Sequence, residues 1–271
     1  SVFRLYKQGQ LQRKGASSPS SSIEVINYIK GSLLTVWWIM RSKEQWDLYI
    51  GNNGLNTFAG LVAKKLGKVK KVVFYSVDFV PSRFKNKLLN NFYHWVDKIA
   101  VIFSDEVWVL SPRMIEGRRK YLRLNKKYDN KQVLVPEGVW LDRIKRKEFN
   151  KIQKYTAISV STLVERMGIH LAIKSIPYIL KKVPDFRLII VGKGPFRKDL
   201  EKLVAKLNLE KHVTFRGFIE NHADVENLVA SCAVGMATYT KDESGLTYYA
   251  DPAKTKLYLG AGIPTVMTDS F

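Results

Sequence analysis

The chain of 271 residues is short of cysteine, of acidic side chains and of long apolar runs. Its single cysteine, Cys232, excludes an intramolecular disulfide framework. Cys232 stands at the entry to a strand-like segment, where a small buried side chain is the expected role. One cysteine fits a reducing compartment. The longest apolar run, Leu33 to Met40, falls far short of the ~20 residues needed to cross a bilayer, and no signal peptide is visible. His94, His170, His212 and His222 share no metal-ligand spacing, so neither a metal nor another cofactor is expected. A Gly-x-Ser-x-Gly elbow and a Walker A loop are both missing.

The scarcity of acid leaves 45 Lys/Arg against 24 Asp/Glu, a net charge of +21. The excess is uneven: residues 1–150 hold 28 basic and 12 acidic side chains (+16), and residues 151–271 hold 17 and 12 (+5). Such a field attracts nucleic acid, anionic lipid or an acidic substrate. No helix-turn-helix, RRM or zinc finger is recognisable, so no specific nucleic acid is expected. A merely soluble basic surface is the plainer alternative. Hydrophobic residues make up 46% of the chain, enough for a sizeable core.

What is present is alternation. In the first half, strand-like segments at Val2–Tyr6, Trp46–Ile50, Lys71–Tyr75, Glu106–Leu110 and Gln132–Pro136 are separated by helical patterns at Ile23–Met40, Asn56–Leu66, Arg83–Ile102 and Pro112–Leu124. A Ser/Pro loop covers Ser17–Ser22. The polar, basic stretch Asp142–Lys154 reads as a linker. Beyond it, strands at Thr156–Val160, Arg187–Val191, Val213–Phe215, Val234–Ala237 and Thr265–Thr268 alternate with helices at His170–Lys182, Arg197–Leu207, Asp224–Ser231 and Lys254–Gly260. The pattern predicts an α/β protein of two doubly wound Rossmann-like domains, residues 1–150 and 151–271, facing across a cleft. The chain opens on Ser1 rather than Met and stops just after a strand. It is therefore expected to be truncated at both ends, lacking the first strand of one domain and the C-terminus of the other.

Two glycine-containing turns carry the chemistry. Gly192-Lys193-Gly194-Pro195 follows an apolar strand and precedes a helix, where backbone N–H groups approach phosphate or ribose. A third glycine at 197 would complete a dinucleotide fingerprint, but Arg197 stands there, so a nicotinamide dehydrogenase is disfavoured. A tight turn without a ligand is the alternative. Asp251-Pro252-Ala253-Lys254 opens the next helix, with Asp251 as cap and Pro252 at its first position. Lys254 is poorly placed for the helix dipole unless an anion lies in front of it; otherwise it is a solvated lysine. Glu243-Ser244-Gly245, in the preceding loop, could hold sugar hydroxyls or face water. In the first half, Asp78 ends a strand and could contact an acceptor hydroxyl or a sugar, or could cap a helix starting near Pro81.

Together the residues resemble the GT-B glycosyltransferases, specifically the retaining family 4 of glycosyl transferases group 1. The resemblance rests on Gly192-Lys193-Gly194-Pro195, Val213-Thr214-Phe215-Arg216-Gly217, Ala233 to Ala237, Asp251-Pro252-Ala253-Lys254 and Tyr258 to Pro264, in that order, with Ser104 to Ser111 and Val135 to Val139 in the first half. It implies transfer of a hexosyl-type sugar from a nucleotide-sugar to a glycan or lipid-linked acceptor with retention of configuration and without a metal (EC 2.4 class). It implies Asp78 and Lys254 as catalytic residues. Gly192, Lys193, Gly194, Pro195, Arg166, Gly217, Glu243, Ser244, Gly245, Asp251 and Pro252 become donor-binding residues. The partners implied are the nucleotide-sugar, the acceptor and an anionic membrane surface. A cytoplasmic location is expected, with peripheral attachment to the inner face of the membrane as a further option, in polysaccharide biosynthesis. Three positions depart from the family pattern: Thr162 and Met167 replace an arginine and a lysine that grip the diphosphate, and Leu257 replaces a glutamate. Arg166 is adjacent and could substitute. The departures keep open a degenerate, non-catalytic subunit that binds a partner.

Overall fold

The computed structural model describes residues 2–16, 24–241 and 245–269. The elements in chain order are β1 (Val2–Lys7), β2 (Gln10–Ala16), α1 (Glu24–Arg41), β3 (Trp46–Gly51), α2 (Gly54–Lys65), β4 (Val69–Ser76), α3 (Lys87–Phe103), β5 (Glu106–Val109), α4 (Pro112–Leu122), β6 (Gln132–Leu134), β7 (Gln153–Val160), α5 (Ile169–Leu180), β8 (Arg187–Val191), α6 (Arg197–Lys206), β9 (Val213–Gly217), α7 (His222–Ala230), β10 (Cys232–Ala237), α8 (Leu246–Tyr249), α9 (Ala253–Gly260) and β11 (Thr265–Met267). Short 3-10 turns lie at Lys126–Lys131, Phe149–Lys151 and Glu165–Met167. The predicted Ser/Pro loop at 17–22 lies outside the described residues.

Two compact units result, Ser1–Pro136 and Glu137–Phe271. The division falls ahead of the expected boundary at residue 150. The stretch read as a linker is built into the second unit. Ile144 is buried in that unit's core, Arg143 Nη2 donates to Glu226 Oε1 at 2.6 Å, and Arg146 Nε donates to the Gly260 carbonyl at 3.1 Å.

The first unit holds a parallel sheet in the order β3-β4-β5-β6. Its central strand β4 buries Val72, Val73 and Phe74, as a strand covered on both faces must. Local signals set the helix starts. Asn53 Oδ1 accepts from Asn56 N (2.9 Å) at α2, Asn86 Oδ1 accepts from Leu88 N (2.9 Å) at α3, and Ser111 Oγ accepts from Arg113 N (3.2 Å) ahead of Pro112 at α4. β1 and β2 form a separate antiparallel hairpin. Its second strand was not predicted. The turn is Gln8-Gly9, both left-handed (φ 50° and 77°), the conformation a two-residue hairpin loop requires.

The second unit holds a five-stranded, fully parallel sheet in the order β11-β10-β7-β8-β9. Alternate residues of its central strands feed two cores. Ile158, Ile189 and Val191 pack with Val225, Val229, Leu257 and Tyr258 of α7 and α9. Ala157, Leu188 and Ile190 pack with Ile169, Ile173, Leu200 and Val204 of α5 and α6. Helices thus cover both faces, and each face receives one side of the two-residue strand period. The chain runs from β7 outward to β8 and β9, then returns to place β10 on the other side of β7. The C-terminal ends of β7 and β10 therefore form a topological switch point, where doubly wound sheets open a crevice for ligands.

Candidate functional site

The crevice of the second unit is assembled from three loops fastened together by backbone. After β8, Gly192 sits at φ 135°, and a Cβ there would overlap the Ser161 carbonyl oxygen. Only glycine fits, and it lets the turn lie against the loop after β7. Gly192 N donates to the Gly217 carbonyl (2.7 Å), Leu163 N to the Lys193 carbonyl (3.0 Å), and Phe196 N to the Leu163 carbonyl (3.0 Å). Gly194 lies with its Cα face against the Leu163 carbonyl. Gly168, left-handed at φ 64°, brings the start of α5 against the backbone of Thr238 just after β10. Thr238 Oγ1 donates to the Gly168 carbonyl (2.9 Å), and Thr240 donates to the Arg166 carbonyl through its N (3.1 Å) and Oγ1 (3.2 Å).

Lys254 lies in the first turn of α9, in this crevice. Its Nζ sits 4.0 Å from the centroid of the Tyr239 ring and 3.3 Å from Ser161 Oγ. Burial pulls its pKa from 10.5 down to about 8. It is therefore not a solvated lysine but a cation held against the positive end of a helix and away from water. Among the described residues, the face of an aromatic ring and one hydroxyl meet it. Ser161 and Tyr239 were not singled out from the sequence. The available signal was their position one and two residues beyond β7 and β10, at a switch point.

The structure brings Gly192, Lys193, Gly194, Pro195, Gly217 and Lys254 into the loops at one edge of the second sheet, with Arg166 exposed on the 3-10 turn between β7 and α5. Lys193 Nζ lies 4.5 Å over the Phe218 ring. Gly245 precedes α8, and Glu243 and Ser244 lie outside the described residues. Two expectations at α9 are corrected. Asp251 does not cap the helix. Its carboxylate pairs with Lys256 Nζ, and its Oδ2 accepts from Glu137 N at 3.2 Å. Pro252 is the residue before the helix rather than its first, and it makes no side-chain cap. Its carbonyl accepts from Thr255 Oγ1 at 2.6 Å. Of the departing positions, Leu257 is buried in the core under the sheet, Met167 is half-buried and packs against both cores, and Thr162 is exposed.

Asp78 lies in the first unit, on the loop after β4. It caps no helix. Its Oδ2 pairs with Arg83 Nη1 at 2.7 Å, and its carbonyl accepts from Ser76 Oγ at 3.1 Å. It lines a cavity of about 90 Å³ together with Asn53, Ser76, Arg83, Tyr93 and Asp97. Beneath lies a network the sequence did not reveal. Arg118, fully buried, donates to Asp97 through Nε (2.8 Å) and Nη2 (3.1 Å), to Ser76 Oγ (2.6 Å) and to Gln132 Oε1 (3.0 Å). Burial pushes the Tyr93 hydroxyl well above its ordinary pKa, so it stays protonated as a donor.

Residues 142–248 match the family described as glycosyl transferases group 1. That group 1 segment contains the turns of the crevice up to Gly245 and stops short of Lys254. Among curated proteins, the chain is 23% identical over 205 residues to an uncharacterized glycosyltransferase of Methanocaldococcus jannaschii, covering 72% of this chain and 43% of that protein. It is 26% identical over 151 residues to the GDP-mannose-dependent alpha-(1-6)-phosphatidylinositol monomannoside mannosyltransferase of Mycobacterium tuberculosis, covering 50% of this chain and 37% of that one. The chain thus spans less than half the length of these relatives. The solved structure of Anabaena HepE in complex with UDP and glucose superposes with a TM-score of 0.63 at 16% identity, over 94% of this chain and 66% of that one. At that identity the likeness bears on the fold, and the fold class is that expected: α/β, with two Rossmann-like units of the GT-B type.

Proposed function

We propose that the protein transfers a sugar from a nucleotide-sugar donor to a glycan or lipid-linked acceptor, with retention of the anomeric configuration and without a metal, as a family 4 member. The observation that supports this most is Lys254: a desolvated ammonium at the start of α9, beside uncapped backbone amides and a glycine turn. In the reaction the bond between the sugar's anomeric carbon and the diphosphate oxygen breaks. The acceptor oxygen bonds to that carbon, and its proton passes to the departing diphosphate. The protein's part is to stabilise the charge that develops on the diphosphate. Lys254, the Lys193 and Gly194 amides of the glycine turn and the start of α5 supply donors, and Arg166 adds a side chain that reaches from an exposed turn. Gly217, Gly245, Asp251 and Pro252 shape the surrounding loops. Asp78, held by Arg83 at the cavity of the first unit, receives the acceptor hydroxyl. The mannosyltransferase relative is named for a phosphatidylinositol acceptor, and the +16 charge of residues 1–150 favours work at an anionic membrane, on its cytoplasmic face.

Calorimetric titration of the full-length protein with UDP, GDP and ADP tests this reading. One of them is expected to bind, and binding of none of the three refutes it.

A further inference from the structure

Helix α1 carries apolar side chains on its solvent face as well as on the face that packs inward. Ile26, Ile29, Leu33, Trp37 and Met40, spaced three and four residues apart, are all exposed, Leu33 to 67%. Ser32 and Thr35 donate to carbonyls of their own helix, those of Tyr28 (3.1 Å) and Gly31 (2.8 Å). A helix of a soluble protein normally shows water its polar side. A second stripe lies on α3, where Leu88, Phe92 and Trp95 are exposed at the same spacing, Leu88 to 79%. Helix α2 packs against both α1 and α3. Its exposed Phe58 meets Trp95 at 6.3 Å between ring centroids, and Phe92 stacks on Trp95 at 6.0 Å. Tyr28 of α1 and Phe92 of α3 line one cavity. The two stripes therefore belong to one region of the first unit.

Among the described residues, the exposed charges beside these stripes include Arg41, Lys43, Lys85 and Lys87, with Glu44 as a neighbouring carboxylate and Arg83 paired with Asp78. The Arg41 guanidinium lies 4.7 Å over the Trp37 ring. Residues 1–136 as a whole carry 24 Lys/Arg and 9 Asp/Glu. A second copy of this chain would bring the same sign of charge to the contact, which disfavours it as the occupant. A negatively charged, apolar-backed surface suits both features. No described helix is long and apolar enough to cross a membrane, so the geometry is that of an element lying in the interface.

We infer that α1 and α3 seat the first unit on an anionic phospholipid bilayer. The apolar stripes enter the headgroup–acyl boundary, Trp37 and Trp95 sit at headgroup depth, and the four cations face lipid phosphates. The inference deepens the membrane setting proposed above, but it is measured without sugar donor, so it stands or falls apart from transfer. The test is co-sedimentation of the protein with vesicles of phosphatidylcholine alone and with half of it replaced by phosphatidylglycerol. Binding to the anionic vesicles is expected, with a blue shift of tryptophan emission. Leu33→Asp combined with Trp37→Ser is expected to weaken it on the order of tenfold or more, and Lys85→Glu with Lys87→Glu to do the same. These side chains are exposed, so the circular dichroism melt should be unchanged. If the α1 variant melts early, the lysine pair decides. Equal binding to both vesicle types, variants that bind like the parent, or a dimer that Leu33→Asp dissolves without any vesicle binding would each overturn the inference.

Discussion

Replacing Lys254 by methionine separates what the ammonium costs the free protein from what it gives a bound anion. Methionine keeps the aliphatic stem and removes the charge. The fall of the pKa from 10.5 to about 8 corresponds to a penalty of about 3 kcal/mol at ~1.4 kcal/mol per unit. The folded value is the lower one, so the unfolded chain holds this proton more tightly. The penalty is complete below about pH 8, and stability rises as pH climbs from about 8 to 10.5. The Tyr239 ring and Ser161 Oγ lower the ammonium's energy in place and are lost with it. Lys254→Met should therefore stabilise the free protein at pH 7 by about 1–3 kcal/mol and flatten its stability between those two pH values. A diphosphate in the crevice would draw the pKa back up. Nucleotide affinity should then fall as pH passes 8, with proton uptake on binding. The variant should bind at least tenfold more weakly, on the order of the ~1.5–3 kcal/mol of a charged hydrogen bond, and lose that pH dependence. Urea midpoints with and without nucleotide, and calorimetry in buffers of different ionisation enthalpy, read both effects. A variant less stable than the parent at pH 7, or one that binds nucleotide equally well, refutes the reasoning.

Arg118→Met should destabilise the first unit by about 3–5 kcal/mol, because it leaves the Asp97 carboxylate buried without its cation, and adding Asp97→Leu should restore most of the loss in urea unfolding. Gly192→Ala should lower stability by at least about 2 kcal/mol, since φ 135° is strained for alanine and the Ser161 carbonyl occupies the space; at permissive temperature its nucleotide affinity should also drop.

The parts of the fold readable from sequence were those that local physics decides. Arg187–Val191 was bounded to the residue because four consecutive apolar side chains follow one arginine and precede a glycine. The helix start expected at Pro112 is the one found, behind Ser111, whereas the starts expected at Asn56 and Arg83 lie at Gly54 and Lys87, set by the caps Asn53 and Asn86. The misses involve distant partners. Asp251 looked like a cap, but its carboxylate is taken by Lys256 and by the amide of Glu137, 114 residues earlier in the chain. Residues 142–154 looked like a linker because three apolar residues, Ile144, Phe149 and Ile152, among six cations give no clear periodicity, yet Ile144 is a core residue. Lys254 was flagged by the dipole argument. Its desolvation arises from the packing of three loops and could not be read from its neighbours.

The helix N-termini divide in a way that bears on where an anion is held. Helices α2, α3, α4 and α7 are closed by their own chain: Asn53, Asn86, Ser111 and Asn221 each accept from an amide of the first turn. Helices α5, α6 and α9 have no side-chain cap. They are the helices that follow the C-terminal ends of β7, β8 and β10, the same edge at which Gly192 and Gly168 hold backbones close and Lys254 sits desolvated. Two of these features are unfavourable in the free protein: left-handed turns restrict sequence, and a buried ammonium repels the start of its own helix. Under the proposed function, a diphosphate at this edge would accept from amides and offset the ammonium charge. The first unit lacks this arrangement among its described helices α2, α3 and α4. There the polar groups of the cavity are paired with one another, Asp78 with Arg83 and Asp97 with Arg118.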